Sequence, residues 1–384
     1  MVLKRKNKSK SRKKISRKSK AIASTAPIVP SKEFMNREVG WLNFNFRVLN
    51  EAKDARNPLL ERLRFLSIAS SNLDEFVMKR IGRLKKQEAF NLNIRSKDGL
   101  SASQQLSEIR NHLILMIASL AETFISLSSA LAKEKISLVK WKDLSENEKS
   151  YVRGFYLKNV FPVLTPLSVD LGHPFPFISN LSTSLGVTLK HPEHEERLFA
   201  RVKIPKVLPQ WIRVDQGEYK FISLIDVIVA NIKDLFPLME VLNAMPFRLT
   251  RNAELEKNED EAEDLLEHIE EELRQRRFAE VVRLEHGPKP DMWMLQFLMD
   301  ELELSQEDVY EHPGLLDYTD LNVITDVPRA DLKYRNYVPV VPGPFLDDSQ
   351  SLFMTIRQQD LLLHHPYESF RHTVERFVKE AVLD

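Results

Sequence analysis

Cysteine is absent from the 384-residue sequence, which excludes disulfides, thiolate metal sites and a cysteine nucleophile. That absence suits a reducing compartment without proving one, and a cytoplasmic location, or one peripheral to a membrane, is the expectation. Glycine is scarce, at ten residues, so a glycine-rich phosphate cradle is hard to build. Neither Gly-x-x-x-x-Gly-Lys-Ser/Thr nor Gly-x-Gly-x-x-Gly occurs, and His-Glu-x-x-His and Gly-x-Ser-x-Gly are missing as well. Long apolar runs are missing too. The longest, Leu113 to Ala121, stops at Glu122, short of the about 20 residues that a membrane span needs, so no transmembrane segment is expected. The basic N-terminus continues into Ala-Ser-Thr-Ala-Pro without the long apolar centre of a secretory signal.

Acidic residues are missing from positions 1–32, which hold twelve Lys or Arg. Of the 56 basic residues, 44 remain for the rest of the chain against 55 acidic ones, so a net charge of +1 conceals a remainder of −11. A stretch that repels itself and buries little apolar surface reads as a disordered tail. It is either a solubilising tail or a polyanion-binding arm that neutralises phosphates with strong salt dependence. The length predicts two or three domains.

What is present is first helical. From Phe34 to about Lys140 apolar residues recur at helical spacing. Trp41, Phe44, Val48 and Leu49 mark one helix, and Leu59, Leu63, Leu66, Leu73, Phe76 and Val77 a second that opens after Asn57-Pro58. Leu106, Leu113, Ile117, Leu120, Phe124 and Leu127 mark a third, over Ser101–Lys135. Residues 33–140 are therefore expected to form an antiparallel helical bundle. Residues 141–345 mix helix and strand signals. A helix is predicted over Ser145–Asn159, strands over Ser184–Leu189, Phe199–Ile204 and Val281–Leu284, and a strand running into a helix over Phe221–Ile232. A strand broken at Pro246 is predicted over Val241–Thr250, and helices around Met292–Glu301 and Thr319–Thr325. Residues 254–272 hold eleven acidic side chains and one lysine, and Leu265, Leu266, Ile269 and Leu273 give this run the stripe of a solvated helix rather than a cation site. The class is multidomain α+β.

Val338 to Pro344 reads as a linker, followed by a strand over Ile356–Leu363 and an amphipathic helix over Glu368–Leu383. Phe370, Val374, Phe377, Val378 and Ala381 share one face of that helix. One strand and one helix cannot make a core, so residues 346–384 are expected to be the incomplete start of a third domain.

Candidate chemistry is thin. His364-His365 would point to opposite sides of a strand, which suits packing better than a shared ligand. Ser70-Ser71-Asn72 places polar groups inside an apolar helical stripe. The Asn72 amide could bind a nucleotide base or a phosphate oxygen, or the segment could be a capped helix break. Arg248 and Arg251 are most plainly used in salt bridges.

These segments also carry a resemblance. Arg37-Glu38-Val39-Gly40-Trp41-Leu42-Asn43-Phe44-Asn45, Pro58 to Leu66 and Ser70-Ser71-Asn72-Leu73-Asp74-Glu75-Phe76 resemble motifs of the polyphosphate kinase family. So do Leu164-Thr165-Pro166-Leu167, His173 to Leu181, Phe247 to Ala253, Asp331-Leu332-Lys333-Tyr334 and His364-His365-Pro366-Tyr367-Glu368-Ser369-Phe370, in that order. Gly40 stands where the family usually has serine. The resemblance runs from about Phe34 to Asp384. It implies an N-terminal helical domain, a head domain used for dimerisation and the start of a C-terminal domain similar to phospholipase D. It also implies reversible transfer of the terminal phosphate of ATP to polyphosphate, with Mg2+ and a phosphohistidine lying beyond this chain, so no catalytic or metal-ligating residue is assigned here. A homodimer or homotetramer through the head domain is implied. Asn72 falls on the family asparagine that contacts ATP, and is the nucleotide-binding candidate. The alternative is a catalytically inactive binding or dimerisation module with a polyanion-binding tail.

Overall fold

A computed structural model describes residues 33–383, except 93, 170–174, 194–195, 215–218, 254–278 and 348. The basic tail, the acidic run and His173-Pro174 lie outside the described residues.

The bundle forms as the periodicity requires. Helix α1 (Arg37–Lys53) starts at Asn36, whose side chain accepts from the N–H groups of Glu38 and Val39. Helix α2 (Leu59–Phe76) follows Pro58 and continues through a π-helical turn, Val77–Ile81, into α3 (Gly82–Ala89). Helix α4 (Ala102–Lys133) opens on a reciprocal Ser101–Gln104 capping box. The buried face of α1 is Leu42, Asn45, Leu49 and Ala52. This rotates the expected stripe, because Phe44 is exposed. The polar Asn45 takes the core position by donating to the Ala69 carbonyl at 2.9 Å.

The rest is sheet and short helix. Strand β1 (Ile136–Val139) leads to α5 (Glu146–Phe155), and then to β2 (Pro166–Val169), β3 (Thr183–Lys190), β4 (Arg197–Lys203), β5 (Trp211–Arg213) and β6 (Tyr219–Ser223). Helix α6 (Leu224–Ala230), β7 (Glu240–Arg251), β8 (Val281–His286), α7 (Met292–Glu301), β9 (Val309–Glu311) and α8 (Asn322–Thr325) follow. Six strands form one sheet in the order β2-β4-β3-β7-β8-β9, and β1-β6-β5 form a small second one. One face of the large sheet buries Leu185, Val187, Ala200 and Val202 with α5 and α6. The other buries Phe199, Phe247 and Leu249 with Leu295 and Leu298 of α7. Strand β7 is not broken at Pro246. Pairing with β8 begins only at Phe247, so Pro246 sits where that flank has no ladder to interrupt.

The bundle core is completed by residues far along the chain, since Tyr310, Tyr318, Leu321, Ile324 and Val327 pack among its leucines. The π-helical turn adds a second tie. The Met78 carbonyl accepts from Ala253 N–H at 2.9 Å, and a Cβ on Gly82 would lie 2.1 Å from Asn252 Cγ.

The last segment differs most from the sequence expectation. The strand expected over Ile356–Leu363 does not form: Leu352–Gln358 is a helix, α9, and residues 359–363 are neither helix nor strand. The Glu380 carboxylate accepts from Leu352 N–H at 2.8 Å and so closes the helix start from 28 residues away, which no local propensity reports. The linker is tied down by Val340, which exchanges backbone hydrogen bonds with Tyr367 and Ser369. Helix α10 (Arg376–Leu383) sets Phe377 against Phe353 and leaves Val378, Val382 and Leu383 exposed.

By length and composition alone α4 could cross a membrane, because averaging over a window carries past Glu122. Its Leu113, Met116, Ile117, Leu120 and Leu127 are used in the bundle core instead, while Ile114, Leu115 and Ile125 face outward.

Candidate functional site

The charged heart of the molecule lies where α2 meets the sheet. Asp74 is buried on α2. Arg248 of β7 grips it with two parallel bonds of 2.9 and 2.6 Å, and Arg283 of β8 reaches the same carboxylate at 2.5 Å. Glu285, on the same face of β8, lies 3.3 Å from Arg248 and 3.0 Å from Arg283, and His312 Nε2 lies 2.9 Å from it. Asp317 is 3.5 Å from Arg248 and 2.8 Å from Lys206, which also holds Asp320 at 2.8 Å. Burial disfavours a charge unless a partner offsets it. Arg248 is desolvated, yet Asp74, Glu285 and Asp317 raise its pKa well above the usual range. Glu285 and Asp317 are desolvated, yet the neighbouring cations push both carboxyls down. Asp320 goes up, through burial and the nearby Asp317.

Beside this network a cleft of about 980 Å3 opens between α2 and the 317–326 segment. Arg64, Lys79, Lys206 and Arg248 line it together with Asp74, Glu75, Asp317 and Asp326. Arg64 is paired with Glu61 at 3.0 Å and Lys79 with Glu75, so positive charge is balanced rather than concentrated. Among the described residues no group of three or more His, Asp or Glu could hold a metal ion. Asp74, Glu75 and Asp317 already face cations, which leaves Asp326 alone among the lining carboxylates, so the residues present do not fit Mg2+.

Asn72 stands on a different flank of α2, toward α1. Its Nδ2 donates to Asn45 Oδ1 at 3.1 Å, and Asn45 is anchored in turn on Ala69. The segment is not a helix break, since α2 runs through it. Asn72 is half-buried, and among the described residues nothing donates to its Oδ1. The structure therefore fixes the amide and leaves an acceptor facing outward, but does not bring it into the charged network.

Arg248 is a structural cation. Among the described residues Arg251 has no ion pair: it donates to the carbonyls of Ile178 and Ala279 at 2.9 and 2.7 Å and lies over the Phe177 ring at 4.7 Å. His364 and His365 lie in a non-helical, non-strand segment, their rings packed on Tyr367 and Phe370. Arg283, Glu285, Lys206 and Asp317 were not legible as site residues. The signal for the first two was a charged pair two positions apart inside an apolar strand, Val281-Val282-Arg283-Leu284-Glu285.

The family profile of the polyphosphate kinase N-terminal domain matches residues 34–139, and that of the polyphosphate kinase middle domain matches residues 147–324. A polyphosphate kinase of Mycolicibacterium gilvum is 42% identical over 374 residues, covering 94% of this chain and 51% of the relative. One of Mycobacterium avium is 42% identical over 369 residues, covering 93% and 50%. One of Mycobacterium tuberculosis is 41% identical over 378 residues, covering 94% and 51%. The chain thus spans about half the length of the curated relatives it matches. The crystal structure of a polyphosphate kinase from Porphyromonas gingivalis superposes with a TM-score of 0.73 at 24% identity, over 91% of this chain and 50% of that one, a likeness of fold. Two adjoining domain profiles and relatives aligned across nearly the whole sequence agree with the motif order and with the bundle-on-sheet architecture, and on that ground the chain belongs to the polyphosphate kinase family.

Proposed function

We propose that this chain provides the nucleotide-contacting portion of an enzyme that moves the terminal phosphate of ATP reversibly onto a polyphosphate chain, with Asn72 as the contact. The observation that carries this is the Asn72 amide, held by Asn45 with its oxygen uncommitted. A lone acceptor suits a donor on the nucleotide, such as a base amino group or a ribose hydroxyl, better than a phosphate oxygen. Phosphoryl transfer is largely positioning and neutralisation of developing charge. The cations that line the cleft are already balanced by acids, so the phosphohistidine, the Mg2+ ligands and the cations on the transferred phosphate are assigned outside these residues. Residues 346–384 then belong to the first of the C-terminal domains similar to phospholipase D. Residues 141–345 mediate a homodimer or homotetramer in the cytoplasm or at the membrane surface, and residues 1–32 contact polyanions.

Calorimetric titration of the 384-residue chain with ATP tests the contact. Asn72→Ala should weaken binding by about 0.5–1.5 kcal/mol, the net worth of one hydrogen bond, and an unchanged affinity would retire the assignment. A companion assay with ATP labelled on its terminal phosphate should yield no polyphosphate from this chain alone. Labelled polymer would overturn the placement of the phosphohistidine outside it.

A further inference from the structure

The face of the large sheet away from the charged network carries two arginines that have no counter-charge among the described residues. Arg201 on β4 is 4% exposed. Its Nε donates to Ser184 Oγ at 3.0 Å and its Nη1 to the Phe177 carbonyl at 3.2 Å. Nη2 makes no hydrogen bond among the described residues. Arg251 is half-buried and is tied to the Ile178 and Ala279 carbonyls. Among the described residues no carboxylate lies within ion-pair distance of either arginine. Both therefore clasp the same two-residue stretch, Phe177-Ile178, through neutral acceptors. Burial pushes both guanidinium groups down, Arg201 to about 10.

A buried arginine is ordinarily paired, because removing a guanidinium from water is costly and neutral oxygens compensate it only in part. Arg248 and Arg283 obey this rule within the same sheet. Arg201 departs from it, and the half-buried Arg251, on the neighbouring carbonyl of the same loop, likewise meets only neutral oxygens among the described residues. We propose that Arg201 and Arg251 bind a phosphoryl oxyanion, supplied by polyphosphate or by free phosphate, that enters at the uncommitted edge of Arg201. A phosphate offers the acceptor-only oxygens that guanidinium donors match. The choice of phosphate over other oxyanions rests on the polyphosphate reading above. The need for an anion rests on the two arginines.

Calorimetric titration of the full chain with tripolyphosphate, orthophosphate and sulfate at matched ionic strength tests this, repeated on Arg201→Gln and Arg251→Gln. Residues 1–32 are common to all three proteins, so differences among them report the arginine pair and not the tail. Each substitution should weaken tripolyphosphate binding about tenfold, as loss of one charge-assisted contact implies. Tighter binding of tripolyphosphate than of orthophosphate assigns the polymer, and equal binding assigns free phosphate. Either result supports the pair if the variants lose it. Arg251 is the less buried of the two, so its variant carries the test if Arg201→Gln does not fold. Unchanged binding in the Arg251 variant, or sulfate binding as tightly as the phosphates, would overturn the site. That failure would leave the Asn72 reading standing, because Asn72 is measured with ATP.

Discussion

At the helix–sheet junction Arg248 and Arg283 face Asp74, Glu285 and Asp317, whereas on the other face of the same sheet Arg201 and Arg251 face carbonyls and one hydroxyl. The residue type is the same and strand alternation puts the clusters on opposite sides. The difference lies in what each surrounds. The junction charges offset one another, with only Arg248 Nε and His312 Nε2 left without a hydrogen bond among the described residues, and they join two parts of the chain that are 174 residues apart between Asp74 and Arg248. Such a network specifies how the bundle docks on the sheet, and each member depends on the others. The second pair joins strands to a loop and leaves charge over. A closed network acts on stability, and an open one is available to a ligand.

The comparison breaks most visibly at Arg248. Replacing Arg248 with Met leaves Asp74 and Asp317 short of a buried partner and should cost about 3–5 kcal/mol, read from the midpoint of urea denaturation. A loss below about 1 kcal/mol would mean that the junction is not held by charge. The next effect comes from the same junction by a different route. Gly82→Ala places a methyl against the buried Asn252, and overpacking there should cost about 1–3 kcal/mol. An unchanged midpoint would show that α3 can lift off Asn252 freely.

Protonation attacks the closed network alone. Asp317 and Glu285 have ordinary values of 3.8 and 4.5 and are both lowered to about 2 in the folded chain. A carboxyl lowered by folding contributes stability above its unfolded value and loses it as pH falls toward the folded one. Stability should therefore drop between about pH 4.5 and 2. Asp320, whose pKa is raised by burial and by Asp317, works in the opposite direction and should flatten part of that fall. Denaturation midpoints of Asp317→Asn across this window should show a shallower slope than wild type. An identical slope would remove Asp317 from the account.

How much of this was legible in the sequence follows from range. The helices of the bundle follow from 3.6-residue spacing and from caps such as Ser101–Gln104, and β3, β4 and β8 from short apolar runs, all of which are local. Asn72 was readable as an odd polar residue, but its partner Asn45 is 27 positions away, and no spacing rule reports that. Asp74 belonged to a visible motif, yet its bond to Arg248 joins two motifs that only the fold brings together. The helix that replaces the strand expected from Ile356 is not legible locally, because the carboxylate that accepts from its first N–H belongs to Glu380. Local pattern fixes elements, while buried charge is decided by what the chain returns to.

The smallest expected effect is the sharpest test of the contrast. Arg201→Met removes a buried cation that has no acid partner among the described residues, so none of their carboxylates is stranded by the change. Replacing such a group with an apolar side chain of similar length is often neutral or stabilising, and the loss of bonds to Ser184 and Phe177 offsets part of the gain. The urea midpoint should move by less than about 1 kcal/mol in free-energy terms, against the several kcal/mol expected at Arg248. Matched losses at the two positions would show that Arg201 is as structurally committed as Arg248, and the division of the sheet into a closed and an open face would fail.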